Sequence, residues 1–297
     1  MLTNAELPYP VPEVLLNPGG LWVFNWAIPI FGSAVILWAA IQTIRTGRLT
    51  WSFLFLFNSL LVYWMESLGD WGQHLIYSPA FTLHHMFDWM PLKTPYDPLF
   101  MPFSYATYWT VHAWIVLVLG QFLTRRYGWT ILKAMLVIAI PTNLVWDFLV
   151  EGLATYQGWW TYDPGIGPVL EWPTGGRITL LLTIGAMCTW PNLIAYWGGK
   201  PAVLGLNHIE RMCGLARFTR EKPSVEPTPG SSPREQYEAR LNYEPTISLW
   251  KFESLRLLAW VVVFNVSFAI LLVMPVMMMR VITGHGSPWI PPDIFLP

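Results

Sequence analysis

Two short runs of this chain carry acids at helical spacing: Glu66-Ser-Leu-Gly-Asp70-Trp-Gly-Gln-His74 and Asn143-Leu-Val-Trp-Asp147-Phe-Leu-Val-Glu151. Positions i, i+4 and i+8 share one stripe of an α-helix. Glu66, Asp70 and His74 are therefore expected on one face, with Asn58 two turns further in, and Asn143, Asp147 and Glu151 on another. Carboxyls crowded at low dielectric cannot all ionise. One that keeps its proton is a general acid, and an ionised neighbour is a base or a stabiliser of positive charge. Aromatic faces attract cations, and Trp71, Trp146, Trp159 and Tyr162 stand close to these acids in the chain. Acid, base and aromatic wall together suit cyclisation, dehydration or hydration through carbocation-like states. The expected catalytic set is Glu66, Asp70, Asp147 and Glu151, supported by Asn143, His74 and Tyr162. Trp71, Trp146, Trp159 and His112 are expected to line the pocket.

Plainer readings compete. Acids near the outer end of a membrane span can snorkel to water or pair with Arg177. His112, a turn past Tyr108, fits a packing role as well as a catalytic one. Carboxylate and imidazole ligands, with His84 and His85 nearby, would suit a divalent metal. The chain lacks both the Glu-x-x-His pairs of di-iron bundles and a Cys/His zinc spacing, so the expectation is no cofactor and no metal.

The elements that must hold these residues are hydrophobic. The chain is 54% hydrophobic and only 12% charged, with 19 Trp, whereas a soluble domain carries about 25% charged residues. A bilayer core of ~30 Å takes about 20 apolar helical residues. Six segments reach that length: Leu21–Ile44, Trp51–Gln73, Phe103–Leu123, Trp129–Tyr156, Ile178–Trp197 and Leu255–Met279. The expected fold is an all-α, polytopic transmembrane helical bundle of about six spans, a multi-pass protein of a bacterial cell membrane. Pro29, Pro141, Pro191 and Pro275 lie inside the spans, where proline kinks a helix. Cys188 and Cys213 fall in a span and a loop, so no disulfide is expected.

Lys and Arg alternate between the connections. Arg45 and Arg48, then Arg125 and Arg126, then a basic loop over 199–254 would face the cytoplasm. Both termini are then non-cytoplasmic. Three regions follow: spans one to five with aromatic outer loops over 1–198, the basic loop over 199–254, and span six with an outer tail over 255–297. Within the basic loop, Lys222–Pro233 reads as a flexible linker between short surface helices at Leu206–Phe218 and Arg234–Leu241. The loops Leu75–Pro102 and Gln157–Gly176 are rich in aromatic residues and read as a lid over the outer side. Expected partners are membrane lipids and a lipid-soluble small molecule; no basic run suggests nucleic acid.

The order of these features resembles the AveC-like spirocyclase family of membrane proteins. The resemblance rests on Pro8-Tyr9-Pro10, Gly69-Asp70-Trp71, the Pro-rich aromatic loop, Asp147-Phe-Leu-Val-Glu151 and Gln157-Gly-Trp-Trp-Thr-Tyr162. It covers residues 8–200. It implies a spiroketal-forming or dehydrating reaction, and carries over to Asp70, Asp147, Glu151 and Tyr162. Asn143-Leu-Val-Trp146-Asp147 also loosely resembles the Asn-x-x-Trp-acid stretch of fungal meroterpenoid cyclases. The leading expectation is a cofactor-independent cyclase or dehydratase acting on a polyketide- or terpenoid-like substrate. The alternatives are a membrane terpene cyclase, a proton-coupled transporter and a non-catalytic subunit of a membrane complex.

Overall fold

Long apolar runs closed by glycine set the frame. The computed structural model describes residues 2–90, 92–163, 167–180, 185, 187–199, 205–284 and 286–287; the side chains of Asp147 and Met187 lie outside that description. The chain is mostly helical. In order come α1 (Val23–Thr46), α2 (Trp51–Leu61), α3 (Glu66–Gln73), α4 (Met101–Tyr127), α5 (Ile131–Gln157), α6 (Met187–Trp197), α7 (His208–Met212), α8 (Pro233–Arg240) and α9 (Leu249–Thr283). Four of them, α1, α4, α5 and α9, are long and apolar enough to cross a membrane.

The other two expected spans differ. Trp51–Gln73 is helical throughout but broken by a tight 3₁₀ turn at Val62–Met65. Trp64 in that turn donates its indole N–H to Asn265 Oδ1 of α9 at 2.8 Å. Ile178 and Thr179, expected to open span five, lie in a β-strand instead; residues 181–184 and 186 are outside the described residues. Helix α9 starts at Leu249, six residues before the expected Leu255, because Phe252, Glu253 and Arg256 turn inward and are buried.

Proline placement has a local remedy at Pro29 and Pro275. A proline ring clashes with the carbonyl four residues back. For Pro29 and Pro275 those carbonyls belong to Asn25 and Leu271, which sit in widened π turns at Val23–Ala27 and Ala269–Val273. Pro141 and Pro191 lie within α5 and α6.

The fold is not purely helical. Among the described residues three antiparallel ribbons join loops: β1 (Leu75–Tyr77) with β2 (Trp160–Tyr162), β3 (Val169–Glu171) with β4 (Arg177–Thr179), and β5 (Thr219–Glu221) with β6 (Tyr243–Pro245). The first joins the two aromatic loops expected to form a lid. The N-terminal segment closes over it. Val11 and Leu15 are fully buried, Ser78 Oγ donates to the Leu15 carbonyl at 2.6 Å, and Tyr96 OH donates to the Tyr9 carbonyl at 2.7 Å. At the other end, the Trp51 indole donates to the Gly198 carbonyl at 2.7 Å and Arg48 pairs with Glu238 of α8 at 3.1 Å. The Lys222–Pro233 stretch has no regular structure up to the start of α8, but it is tied down. Its Lys222 and Val225 N–H groups donate to the Asn242 and Ala239 carbonyls. No disulfide joins Cys188 and Cys213.

Gly158 ends α5 in the left-handed conformation, φ +72°, and a Cβ there would lie 2.0 Å from the Val14 carbonyl oxygen. Gly128 ends α4 in the same way, φ +65°, with nothing within 4 Å. Gly128→Ala is expected to cost about 1 kcal/mol from the backbone alone. Gly158→Ala should cost clearly more, because the N-terminal segment must also move. Thermal midpoints of the two variants in one detergent check this, and equal losses would refute it.

Candidate active site

Helix α3 presents Glu66 and Asp70 one turn apart on its inner face, 5% and 4% exposed. Helix α5 brings Glu151 from the facing side. All three line one cavity of about 460 Å³, a size within the range of small-molecule sites, about 300–1,000 Å³. Most of the remaining wall is apolar or aromatic, including Phe24, Trp146, Trp159 and Phe268.

The β1–β2 ribbon draws the two acidic helices together. Strand β1 leaves the end of α3 and β2 follows the end of α5, paired as Leu75↔Tyr162 and Tyr77↔Trp160. Alternate residues of a strand face one side, and Leu75, Tyr77, Trp160 and Tyr162 all line the cavity. Their polar tips meet the acids. Tyr77 OH donates to Glu66 Oε1 at 2.8 Å. Tyr162 OH and the Trp160 indole N–H both donate to Glu151 Oε2, at 2.6 and 2.7 Å. Burial, reinforced by the nearby carboxyls, pushes both phenols well above their ordinary range, so they act as O–H donors. Asp70 differs from its neighbours: its Oδ2 is buried without a hydrogen-bond partner.

Several expected members stand elsewhere. His74 does not continue the stripe. It caps α3 in the left-handed region, φ 52°, and its carbonyl accepts the Asp163 N–H at 3.1 Å; the chain turns there to enter β1. Trp71 lies one residue around the helix from Asp70, away from the cavity, with the Arg280 guanidinium 4.0 Å above its ring. His112 and Asn143 are buried with Asn192 of α6: the Asn192 amide donates to Asn143 Oδ1 at 2.7 Å, and His112 Nε2 lies 3.3 Å from Asn192 Oδ1. These two tie α4, α5 and α6 together rather than lining the cavity. Asn58 is buried and donates to the Leu54 carbonyl of its own helix. Asp147 lies in α5, and its side chain is outside the described residues. Arg177 pairs with Asp163 and Glu171 rather than with the cavity acids.

Sequence reasoning missed Tyr77 and Trp160 as acid partners. It also missed Asp97, buried in the second loop, with Ser67 and Thr94 hydroxyls 3.3–3.4 Å from its carboxylate oxygens. Burial, opposed by Lys93 and these hydroxyls, pushes Asp97 up to about 6. Beside it, Tyr63 OH and His84 Nε2 are 2.5 Å apart.

No family model, no curated protein and no solved structure matches the chain. What the site does must therefore be argued from its own geometry.

Proposed function

We propose that this protein is an integral membrane cyclase or dehydratase of spirocyclase-like type, working by acid–base catalysis on a neutral, largely apolar molecule. The observation that carries the reading is a largely apolar cavity, rich in aromatic residues and covered at the ribbon end, that holds three carboxyls of unequal environment. Glu151 receives two strong donors on one oxygen, the arrangement that favours a carboxylate anion. Asp70, which lines the cavity and has one carboxyl oxygen without a hydrogen-bond partner, is the proton donor, and Glu66 is held beside it by Tyr77. Proton delivery from Asp70 to a substrate oxygen or alkene creates positive charge. The ring faces of Trp146 and Trp159 and the Glu151 carboxylate stabilise it. Glu151 then takes the proton lost when the ring or double bond forms. The cover formed by the N-terminal segment and the ribbon supports a reaction chamber more than a transport path.

The test is to purify the protein, identify co-purifying lipid-soluble molecules by mass spectrometry, and compare Glu151→Gln. The variant should accumulate a species heavier by one water, or an uncyclised isomer of the wild-type product. Identical product in both would refute the catalytic assignment.

Six crossings with both termini outside the cytoplasm, in a bacterial cell membrane, belong to the same proposal. The N-terminal segment meets the second and fourth connections, and the first connection meets the basic loop. Reporters fused at residue 230 and after Gly284 should read opposite sides of the membrane; the same side for both would overturn the topology.

A further inference from the structure

We propose that the cavity is filled sideways from the bilayer, between α1 and α5 across the face of α4, and that its substrate is an uncharged, hydrocarbon-tailed lipid carrying an oxygen at its reacting end. The inference rests on the reading of this cavity as a reaction site, and it adds the route and the substrate class.

The route follows from residues that belong both to the cavity wall and to the outer surface. Phe31 of α1, Val111 of α4, and Leu149 and Leu153 of α5 line the cavity, yet they are 59%, 38%, 61% and 50% exposed. Exposure of this order, shared by four wall residues on three helices, places the cavity's reach to the surface along this side. That surface belongs to three helices long and apolar enough to cross a membrane, so what lies outside it is hydrocarbon rather than water. The opposite approach is closed. At the ribbon end the Gly19 N–H donates to the Gln157 carbonyl, the Trp159 indole donates to the Gly19 carbonyl, and Leu15 is fully buried over Ser78. A molecule dissolved in the bilayer reaches the acids without crossing that cover.

The charge of the wall selects the class. Among the described residues lining the cavity there are three carboxyls and no Lys, Arg or His. A phosphate, diphosphate or carboxylate headgroup would meet like charge with no cation to offset it, and like-charge contacts at low dielectric cost several kcal/mol. Prenyl diphosphates and phospholipids are therefore poor occupants. An alcohol, ketone or ether oxygen can instead accept a proton from Asp70. The hydrocarbon tail lies along the Phe31–Leu153 opening and extends into the bilayer.

Photolabelling in proteoliposomes tests this without any turnover. The probes are a long-chain alcohol carrying a diazirine near its hydroxyl end and the phosphate monoester of the same alcohol. The alcohol should attach to the cavity acids and to the α4 segment 104–111 at least about tenfold more than the phosphate does. Phe31→Trp with Leu153→Trp, which narrows the opening, should lower alcohol labelling of that segment several-fold while labelling of the outer face of α9 stays unchanged. Equal labelling by the two probes overturns the substrate class. Undiminished labelling in the narrowed variant, with its thermal midpoint retained, overturns the lateral route. Because neither readout depends on activity, a fully active Glu151→Gln would sink the catalytic reading alone and leave this one standing.

Discussion

Glu151→Gln is expected to lower turnover by about 10²–10⁴-fold, the usual worth of a positioned acid or base, with the fold retained. Both donors to Glu151, the Trp160 indole and the Tyr162 hydroxyl, converge on a single oxygen, Oε2. A glutamine can place its carbonyl oxygen there and keep both hydrogen bonds. Its NH₂ then occupies the position of Oε1, where it can neither accept a substrate proton nor carry negative charge. The substitution thus removes the chemistry while sparing the geometry. Tyr162→Phe does the reverse: the carboxylate stays but loses one of its two donors, and its loss of rate should be smaller. Rates would be followed by mass spectrometry of the lipid-soluble product. Wild-type turnover in Glu151→Gln, or a larger loss in Tyr162→Phe than in Glu151→Gln, would refute the role given to Glu151.

The parts of this site that were legible in the sequence are those on regular helices. Four-residue spacing puts Glu66 and Asp70 on one face of α3, and both line the cavity with Glu151 of α5, because helical geometry converts sequence distance into direction. It failed at His74, where a left-handed cap ends the helix and redirects the chain. Adjacency in sequence also misled: Trp71 follows Asp70 but points toward Arg280 of α9, a neighbour that only tertiary packing supplies. Tyr77 and Trp160 were invisible as acid partners because three-residue strands carry too little alternation to be recognised, and their pairing joins distant loops. Asp97 gave no periodic signal at all. The long apolar helices were the most legible feature. The break at Val62–Met65 was not, since its residues are as hydrophobic as those around it and the turn is fixed by contacts such as Trp64 with Asn265.

Arg256→Met is expected to cost about 3–5 kcal/mol, the usual consequence of leaving a buried charge without its partner. At the basic end of the molecule, Arg48 and Arg256 are 2% and 6% exposed. Arg256 pairs with Glu210 of α7 at 2.8 Å and with Glu253 of its own helix at 2.7 Å, and its guanidinium also donates to the Leu49 carbonyl at 3.1 Å. Arg48 reaches Glu253 at 2.7 Å and Glu238 of α8 at 3.1 Å. The network therefore fastens the α1–α2 turn, α7, α8 and α9 to one another. Removing Arg256 leaves Glu253 with Arg48, but it leaves Glu210, fully buried, with no cation. The loss should appear as a fall in thermal midpoint on the order of 10 °C. Adding Glu210→Gln to Arg256→Met should recover part of it, because the orphaned charge is gone while glutamine can still complete the capping box with Asn207. The same Glu210→Gln change in the wild-type background should instead destabilise. If it were equally destabilising in both backgrounds, the two residues would not be energetically coupled, and the network would be a set of independent contacts rather than the clamp that holds the basic end together.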